Sequence, residues 1–229
     1  MRATYPSLNL YFTFKDFSMT DNDLRQELIL ASTSPYRSML LRRLGLEFSV
    51  VTPSVDESRQ EDELPHALAA RLSEDKAMAV ADSHPQTLII AADQVAVLDG
   101  ELIGKPGTHE KAVEQLKKAS GRSMQFHSGL CLLNTMTGER QTDVIDTEVR
   151  LKPISDELIE AYLCKEQPYD CAGACKVEGL GIALIDYVYS GDPTALIGLP
   201  LIRLCEMLRA EGIEPLQPGF LEAPLGART

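Results

Sequence analysis

An aspartate interrupts the most apolar run of the chain, Leu88-Ile89-Ile90-Ala91-Ala92-Asp93-Gln94-Val95-Ala96-Val97-Leu98. A run this rich in aliphatic and β-branched residues, closed by Asp99-Gly100, predicts a buried strand that enters a hairpin turn. Carboxylates are almost never buried without a partner or a task. Asp93 would then sit in a low-dielectric setting, where its charge is costly unless a cation or a hydrogen-bond donor compensates it. On residue type and burial alone a functional carboxylate and a structural one that caps a loop are both admissible.

The rest of the chain alternates strands and helices around that run. A first strand spans Glu27 to Ala31. Ser34 and Pro35 then predict an N-cap and first helical position, for a helix that turns Met39, Leu40, Leu41 and Leu44 inward and stops at Gly45. A strand over Phe48 to Thr52 leads into the acidic loop Ser54-Val55-Asp56-Glu57-Ser58, and a long helix follows from about Leu64 to Ala81. Past the Asp99-Gly100 turn, Glu101-Leu102-Ile103 returns antiparallel, and Thr108 caps a helix that carries Ala112, Val113, Leu116 and Ala119 on one face. Two extended runs, Met124 to Leu133 and Gln141 to Leu151, meet at Thr137-Gly138. Ser155 starts a helix to about Lys165, Cys171 to Gly181 forms a loop, Ile182 to Val188 forms a strand, and Leu199 to Ala210 forms the last helix. Hairpins break the alternation, which predicts a mixed rather than purely parallel sheet. Residues 27–213 are expected to form one domain. Residues 1–26 read as a poorly ordered extension, with Met19 an alternative start, and residues 214–229 as a flexible tail.

The formal charge of −12 argues against a nucleic-acid polymer or an anionic membrane surface as partner. A small phosphorylated ligand stays admissible, because a few local cations overcome a global field. No apolar segment reaches membrane-spanning length. Five cysteines without a CxxC pair point to reduced thiols and a cytoplasmic location rather than to a zinc site.

Four constellations carry candidate chemistry, each weak alone. Ser32-Thr33-Ser34-Pro35-Tyr36-Arg37 lies at a strand-to-helix junction, where unpaired first-turn amides and the helix dipole favour an anion and Arg37 adds a bidentate clamp. A capped helix with a solvated arginine is the plain alternative. Lys76 shares an apolar helix face with Leu68, Leu72 and Val80, so its ammonium must snorkel outward or find an anion. Gly104-Lys105-Pro106 imitates the end of a P-loop, but the glycine spacing is one residue short and proline replaces the hydroxyl residue, which rejects a Walker A site. Lys105 still has the reach to touch a phosphate. Asp56-Glu57, together with Asp93, offers carboxylate oxygens of the kind a hard divalent ion prefers. His66, His84, His109 and His127 show no ligand spacing, and Gly179-Leu180-Gly181 lacks the third glycine of a dinucleotide fingerprint.

Taken in order, STSPYRSMLLRRLG, VDES, the lysine of ARLSEDKA, AADQVAVLDGELIGKP, CAGACKVEGLG and DPTALIGLPL resemble the Maf family of nucleoside triphosphate pyrophosphatases, from about Leu28 to about Gly212. The resemblance implies an α/β fold of the Maf/ITPase type, a mixed twisted sheet flanked by helices with two lobes around a central cleft. It further implies a divalent metal cation (Mg2+ or Mn2+), commonly a homodimer, and Asp93 as the catalytic carboxylate. Ser32, Ser34, Arg37, Lys76 and Lys105 fall where phosphates would be bound, and Glu57 where a metal would be held. Tyr36, Gln94 and Glu178 fall at the positions that sort substrates. An aromatic, Gln and Glu there look like the branch that hydrolyses 7-methyl-GTP to the monophosphate and pyrophosphate, whereas the branch acting on dTTP and UTP carries Arg, Thr and Gln. Tyr36 stands where tryptophan is expected, and Ala91-Ala92 precede Asp93 where Ser-Asp is more usual. A pyrophosphatase for other noncanonical triphosphates and a nucleotide-binding regulator of cell division without turnover are the competing readings.

Overall fold

The computed structural model describes residues 26–216. The extension expected over 1–26 and the tail expected over 214–229 fall, but for their inner ends, outside the described residues. Seven strands, β1 (Glu27–Ala31), β2 (Ser49–Val51), β3 (Thr87–Leu98), β4 (Glu101–Ile103), β5 (Ser123–Asn134), β6 (Arg140–Leu151) and β7 (Ile185–Ser190), form one sheet. The helices are α1 (Pro35–Arg42), α2 (Pro65–Ala81), α3 (His109–Ala119), α4 (Asp156–Glu166) and α5 (Leu201–Ala210). The strand order is β2-β1-β3-β5-β6-β7, with β4 added on β3. β1 is parallel to β2 and β3, and the other pairings are antiparallel, so the sheet is mixed as expected.

The apolar run is the spine of this sheet. One edge of β3 pairs with β5 from Leu88 to Leu98. The other edge is shared: β1 covers Thr87 to Ala91, and β4 covers Ala96 to Leu98. Ala92 to Val95 lie between these two partners, which leaves a gap in the sheet beside Asp93 and Gln94. Side chains alternate across the pleat, so β3 feeds a different core on each face and in each half. Leu88, Ile90 and Ala92 pack with α1 and α5, while Ala96 and Leu98 join the core built by α3 and α4. On the opposite face Ile89 and Ala91, then Val95 and Val97, pack under α2. The two lobes meet at the middle of β3.

α2 comes unusually close to the sheet because residue 129 on β5, directly opposite Asp93, is glycine. A Cβ at Gly129 would stand 2.1 Å from the Ala69 carbonyl oxygen. Ala69 lies in the first half of α2, so this contact seats that end of the helix that carries Lys76 directly on β5.

Local chemistry places the other ends. Ser34 caps α1 through a bond from the Arg37 amide, with Pro35 at the first helical position. Met39 does not turn inward: α1 is only eight residues long, and its buried stripe is Ser38, Leu40 and Leu41. β2 is shorter than expected, since only Ser49 to Val51 pair with β1. The strand expected from Ile182 begins at Ile185 instead. Gly181 donates back to the Lys176 carbonyl, and Leu180–Leu184 coils into a 3-10 turn that leaves Ile182 exposed. α5 starts at Leu201 rather than Leu199, because Pro200 disfavours helical geometry in the residue before it.

Candidate active site

The gap in the β3 edge opens into a cleft of about 510 Å³ between the lobes. Ser34, Tyr36, Arg37, Glu57, Lys76, Asp93, Gln94, Lys105 and Glu178 all line it, so the fold gathers residues spread over more than a hundred positions of sequence. Ser32 is the exception among the residues singled out from sequence. It is 2% exposed, and its Oγ accepts from the Ser34 amide at 3.1 Å and from Arg37 Nη1 at 3.4 Å. Its place is beneath the cleft, as a prop for Arg37.

Asp93 is 8% exposed and Lys76 is 7% exposed. Lys76 Nζ lies 2.5 Å from Asp93 Oδ1 and 2.7 Å from Glu57 Oε1. The lysine thus resolves its apolar surroundings by finding two anions rather than by snorkelling. The bond from Lys76 holds the Glu57 carboxyl below its ordinary value against partial desolvation, with the fields of Lys76, Lys105 and Arg37 helping. Glu57 itself is largely exposed at the cleft mouth, whereas Asp93 forms the floor.

Arg37 reaches the cleft from the first turn of α1. Its Nε donates to the Gly198 carbonyl at 2.8 Å, which fixes the guanidinium plane. Desolvation pulls its pKa down, and the charges of Asp93 and Glu57 push it back up. An arginine begins so high that it stays cationic. Lys105 follows β4 and flanks the gap from the other side, exposed and close enough for its charge to act on Glu57.

The opposite wall is made by Tyr36 and the segment 170–178. The Tyr36 hydroxyl donates to Asp170 Oδ2 at 3.4 Å. Burial first, then the nearby Cys171 and Asp170, push its pKa up to about 12, so it is a neutral phenol at any ordinary pH. Lys176 Nζ stands 5.9 Å from the centre of the Tyr36 ring and pairs with Glu166 at 2.8 Å. Glu178, also on this wall, is exposed. Cys171 and Cys175 line the cleft too, but burial pushes both thiols up to about 12. They remain protonated and are not nucleophiles.

In sequence, Asp192 to Leu201 stands only as a stretch of family resemblance, with no role for any of its residues, yet Asp192 to Pro200 holds the site together. Asp192, 2% exposed, accepts from the Thr194 amide at 2.9 Å, the Thr194 hydroxyl at 2.7 Å and the Ile202 amide at 2.7 Å. It therefore ties the loop to the first turn of α5. The carbonyls of this loop do the positioning: Gly198 holds Arg37, while Ala195 and Leu196 hold Gln94. The signal was an Asp-x-Thr turn ahead of a helix, a pattern that side-chain-to-backbone bonding favours.

Among the described residues no group of three or more His, Cys, Asp or Glu side chains could hold a metal ion on its own. Two carboxylates, Glu57 and Asp93, do share one point of the cleft through Lys76. That donor set fits Mg2+ or Mn2+, hard ions that take one or two protein carboxylates and fill their other positions with phosphate oxygens and water. No described helix is long and apolar enough to cross a membrane.

A model of the family described as "Maf-like protein" matches residues 27–211. The chain is 55% identical over 187 residues to a 7-methyl-GTP pyrophosphatase of Methylobacillus flagellatus, covering 82% of this chain and 97% of that one. It is 55% identical over 189 residues to the protein of the same name from Thiobacillus denitrificans, covering 82% and 94%. A third protein of that name, from Nitrosococcus oceani, is 50% identical over 185 residues, covering 81% and 93%.

Proposed function

The chain belongs to the Maf-like protein family, and from that premise we propose that it is a nucleoside triphosphate pyrophosphatase acting on 7-methyl-GTP. The observation that carries the reading is the placement of Asp93, a buried carboxylate at the floor of a cleft whose walls supply Arg37, Lys76 and Lys105. That is the charge pattern a triphosphate beside an activated water requires.

In the proposed reaction, water attacks the α-phosphorus in line. A new P–O bond forms, the bond from the α-phosphorus to the α,β-bridging oxygen breaks, and pyrophosphate leaves. Arg37, braced by Gly198 and Ser32, clamps phosphate oxygens, and Lys105 adds a second cation from the facing loop. The Ser34 hydroxyl accepts from the Arg37 amide, which leaves its proton for a phosphate oxygen. Asp93 orients the attacking water and takes its proton. Lys76 keeps the Asp93 carboxylate in place and offsets the charge that triphosphate and carboxylates bring together. Glu57 and Asp93 would hold a divalent cation, whose chemistry is to neutralise phosphate charge and polarise the reacting centre.

Selectivity rests on the facing wall. N7 methylation makes the guanine ring cationic, so stacking on Tyr36 gains a cation–π contribution of about 1 kcal/mol. Glu178 supplies a carboxylate for the ring N–H and the exocyclic amine. Five free cysteines suit a reducing compartment, and we place the enzyme in the cytoplasm, acting as a homodimer.

The test is a panel of triphosphates (7-methyl-GTP, GTP, dTTP, UTP) with pyrophosphate release as readout, with and without Mg2+ or Mn2+. The highest kcat/KM is expected for 7-methyl-GTP. A preference for dTTP or UTP would reassign the substrate, and tight binding with no turnover on any of them would make the protein a regulator.

A further inference from the structure

We infer that Gln94 meets the nucleoside as a hydrogen-bond acceptor, presenting its carbonyl oxygen and never its amide N–H. The inference deepens the 7-methyl-GTP reading and rests on it. Gln94 Nε2 lies 3.0 Å from each of three oxygens: Ser128 Oγ, the Ala195 carbonyl and the Leu196 carbonyl. Two of these are backbone carbonyls, which can only accept. The third is a hydroxyl that is completely buried, and its single proton is donated to the Ala195 carbonyl at 2.8 Å. Ser128 Oγ is therefore also left to accept. Reversing the amide would put a carbonyl oxygen against three acceptors, so its orientation is set by chemistry rather than chosen.

The two N–H bonds of Gln94 are thus consumed by the protein. Oε1, at the other end of the amide, has no partner among the described residues and is not among the buried unpartnered atoms, and Gln94 lines the cleft. It is the polar atom this side chain has left for a ligand. The anchor is stiff, because Asp192 locks the loop that carries both carbonyls. Glu178, which lines the same cleft, is likewise acceptor-only when ionised. Two acceptors facing the nucleoside select for donors: the N1–H and 2-amino group of a guanine-type base, or a ribose hydroxyl. Both sources have the same chemistry, a hydrogen donated to Oε1.

The experiment compares kcat/KM for 7-methyl-GTP with that for analogues lacking one donor each: the 2-amino-deleted base, the N1-methylated base, and the 2′-deoxy and 3′-deoxy sugars. Each is measured on the wild type and on Gln94→Met, which keeps length and loses the acceptor. For one donor, deletion should lower the wild-type value about tenfold or more, and the same deletion should have little effect in Gln94→Met. The arm that behaves this way identifies base or ribose as the source. If no deletion matters in the wild type, the inference fails whether or not the variant folds, while good turnover of 7-methyl-GTP leaves the proposed function standing. If every deletion costs the same in both proteins, the inference also fails. Absence of 7-methyl-GTP turnover would overturn both.

Discussion

Lys76 and Asp93, seventeen residues apart in sequence and on different layers of the fold, form a buried ion pair at 2.5 Å. β3 supplies the carboxylate at the one stretch where its edge has no neighbouring strand, and α2 supplies the ammonium from above. The pair exists because the apolar run of β3 is continuous enough to bury an aspartate, and because Gly129 lets the helix settle onto it.

Replacing Asp93 by Asn keeps the shape of the floor and removes the proton acceptor. Turnover should fall by about 100-fold to 10,000-fold, the span general acid–base groups contribute. Unfolding monitored by circular dichroism should show a folded protein. Activity within about tenfold of wild type, or roughly 1.4 kcal/mol of barrier, would remove Asp93 from its role as base.

Lys76→Met tests the other partner. It leaves Asp93 buried without its cation and Glu57 without its hydrogen bond, so urea denaturation should show a loss of about 3 kcal/mol or more. A variant as stable as wild type would mean that solvent, not Lys76, compensates Asp93.

Gly129→Ala probes how the helix is seated. The added Cβ would meet the Ala69 carbonyl oxygen at 2.1 Å and carbon at 2.6 Å, both backbone atoms that cannot swing away. α2 must lift from the sheet, at an overpacking cost of about 1–3 kcal/mol. Lys76 moves with it, so kcat should drop along with the urea midpoint. A stability loss with unchanged kcat would separate the seat of the helix from the chemistry.

Much of this was legible in the sequence because it rests on local signals. The β3 run, the Asp99-Gly100 turn and the Ser34, Thr108 and Ser155 caps are each written in a few consecutive residues, and all appear where their chemistry puts them. What was illegible depends on tertiary neighbours. No periodicity reveals that Ser32 ends beneath Arg37, or that the carbonyls of Ala195, Leu196 and Gly198 anchor two cleft side chains, since backbone atoms carry no sequence identity. Ile182 is not a strand residue for a related reason: Gly181, just ahead of its apolar run, closes a turn onto Lys176, and the 3-10 turn that follows takes in the start of the run.

Glu57 gives a pH signature with a definite sign. Its folded pKa is depressed, chiefly by the bond from Lys76. Its contribution to stability is therefore complete above the unfolded carboxylate value of about 4.3 and is lost as pH falls through the lower folded value. Urea midpoints of wild type and Glu57→Gln, taken in chelator from pH about 7 to about 3, should differ at the upper end and converge at the lower end. A gap that does not change with pH would show that the Glu57–Lys76 contact is not an ion pair in solution.

Glu178→Gln addresses substrate choice without touching the phosphate end of the cleft. Lys176, its near neighbour, is already engaged by Glu166 at 2.8 Å, which leaves the Glu178 carboxylate free for a ligand. A cationic 7-methylguanine offers that carboxylate two N–H donors and a positive ring, so both hydrogen bonds are charge-assisted. Glutamine keeps one acceptor, turns the other position into a donor that faces a donor, and removes the negative charge. Bonds to charged groups contribute about 1.5–3 kcal/mol, so the ratio of kcat/KM for 7-methyl-GTP over dTTP should fall by about tenfold to a hundredfold. The effect should appear in that ratio and leave the pyrophosphate-releasing step on dTTP near its wild-type rate, because the phosphate chemistry is carried by Arg37, Lys76 and Asp93 rather than by Glu178. An unchanged ratio would remove Glu178 from base recognition and leave Tyr36 and Gln94 to account for it.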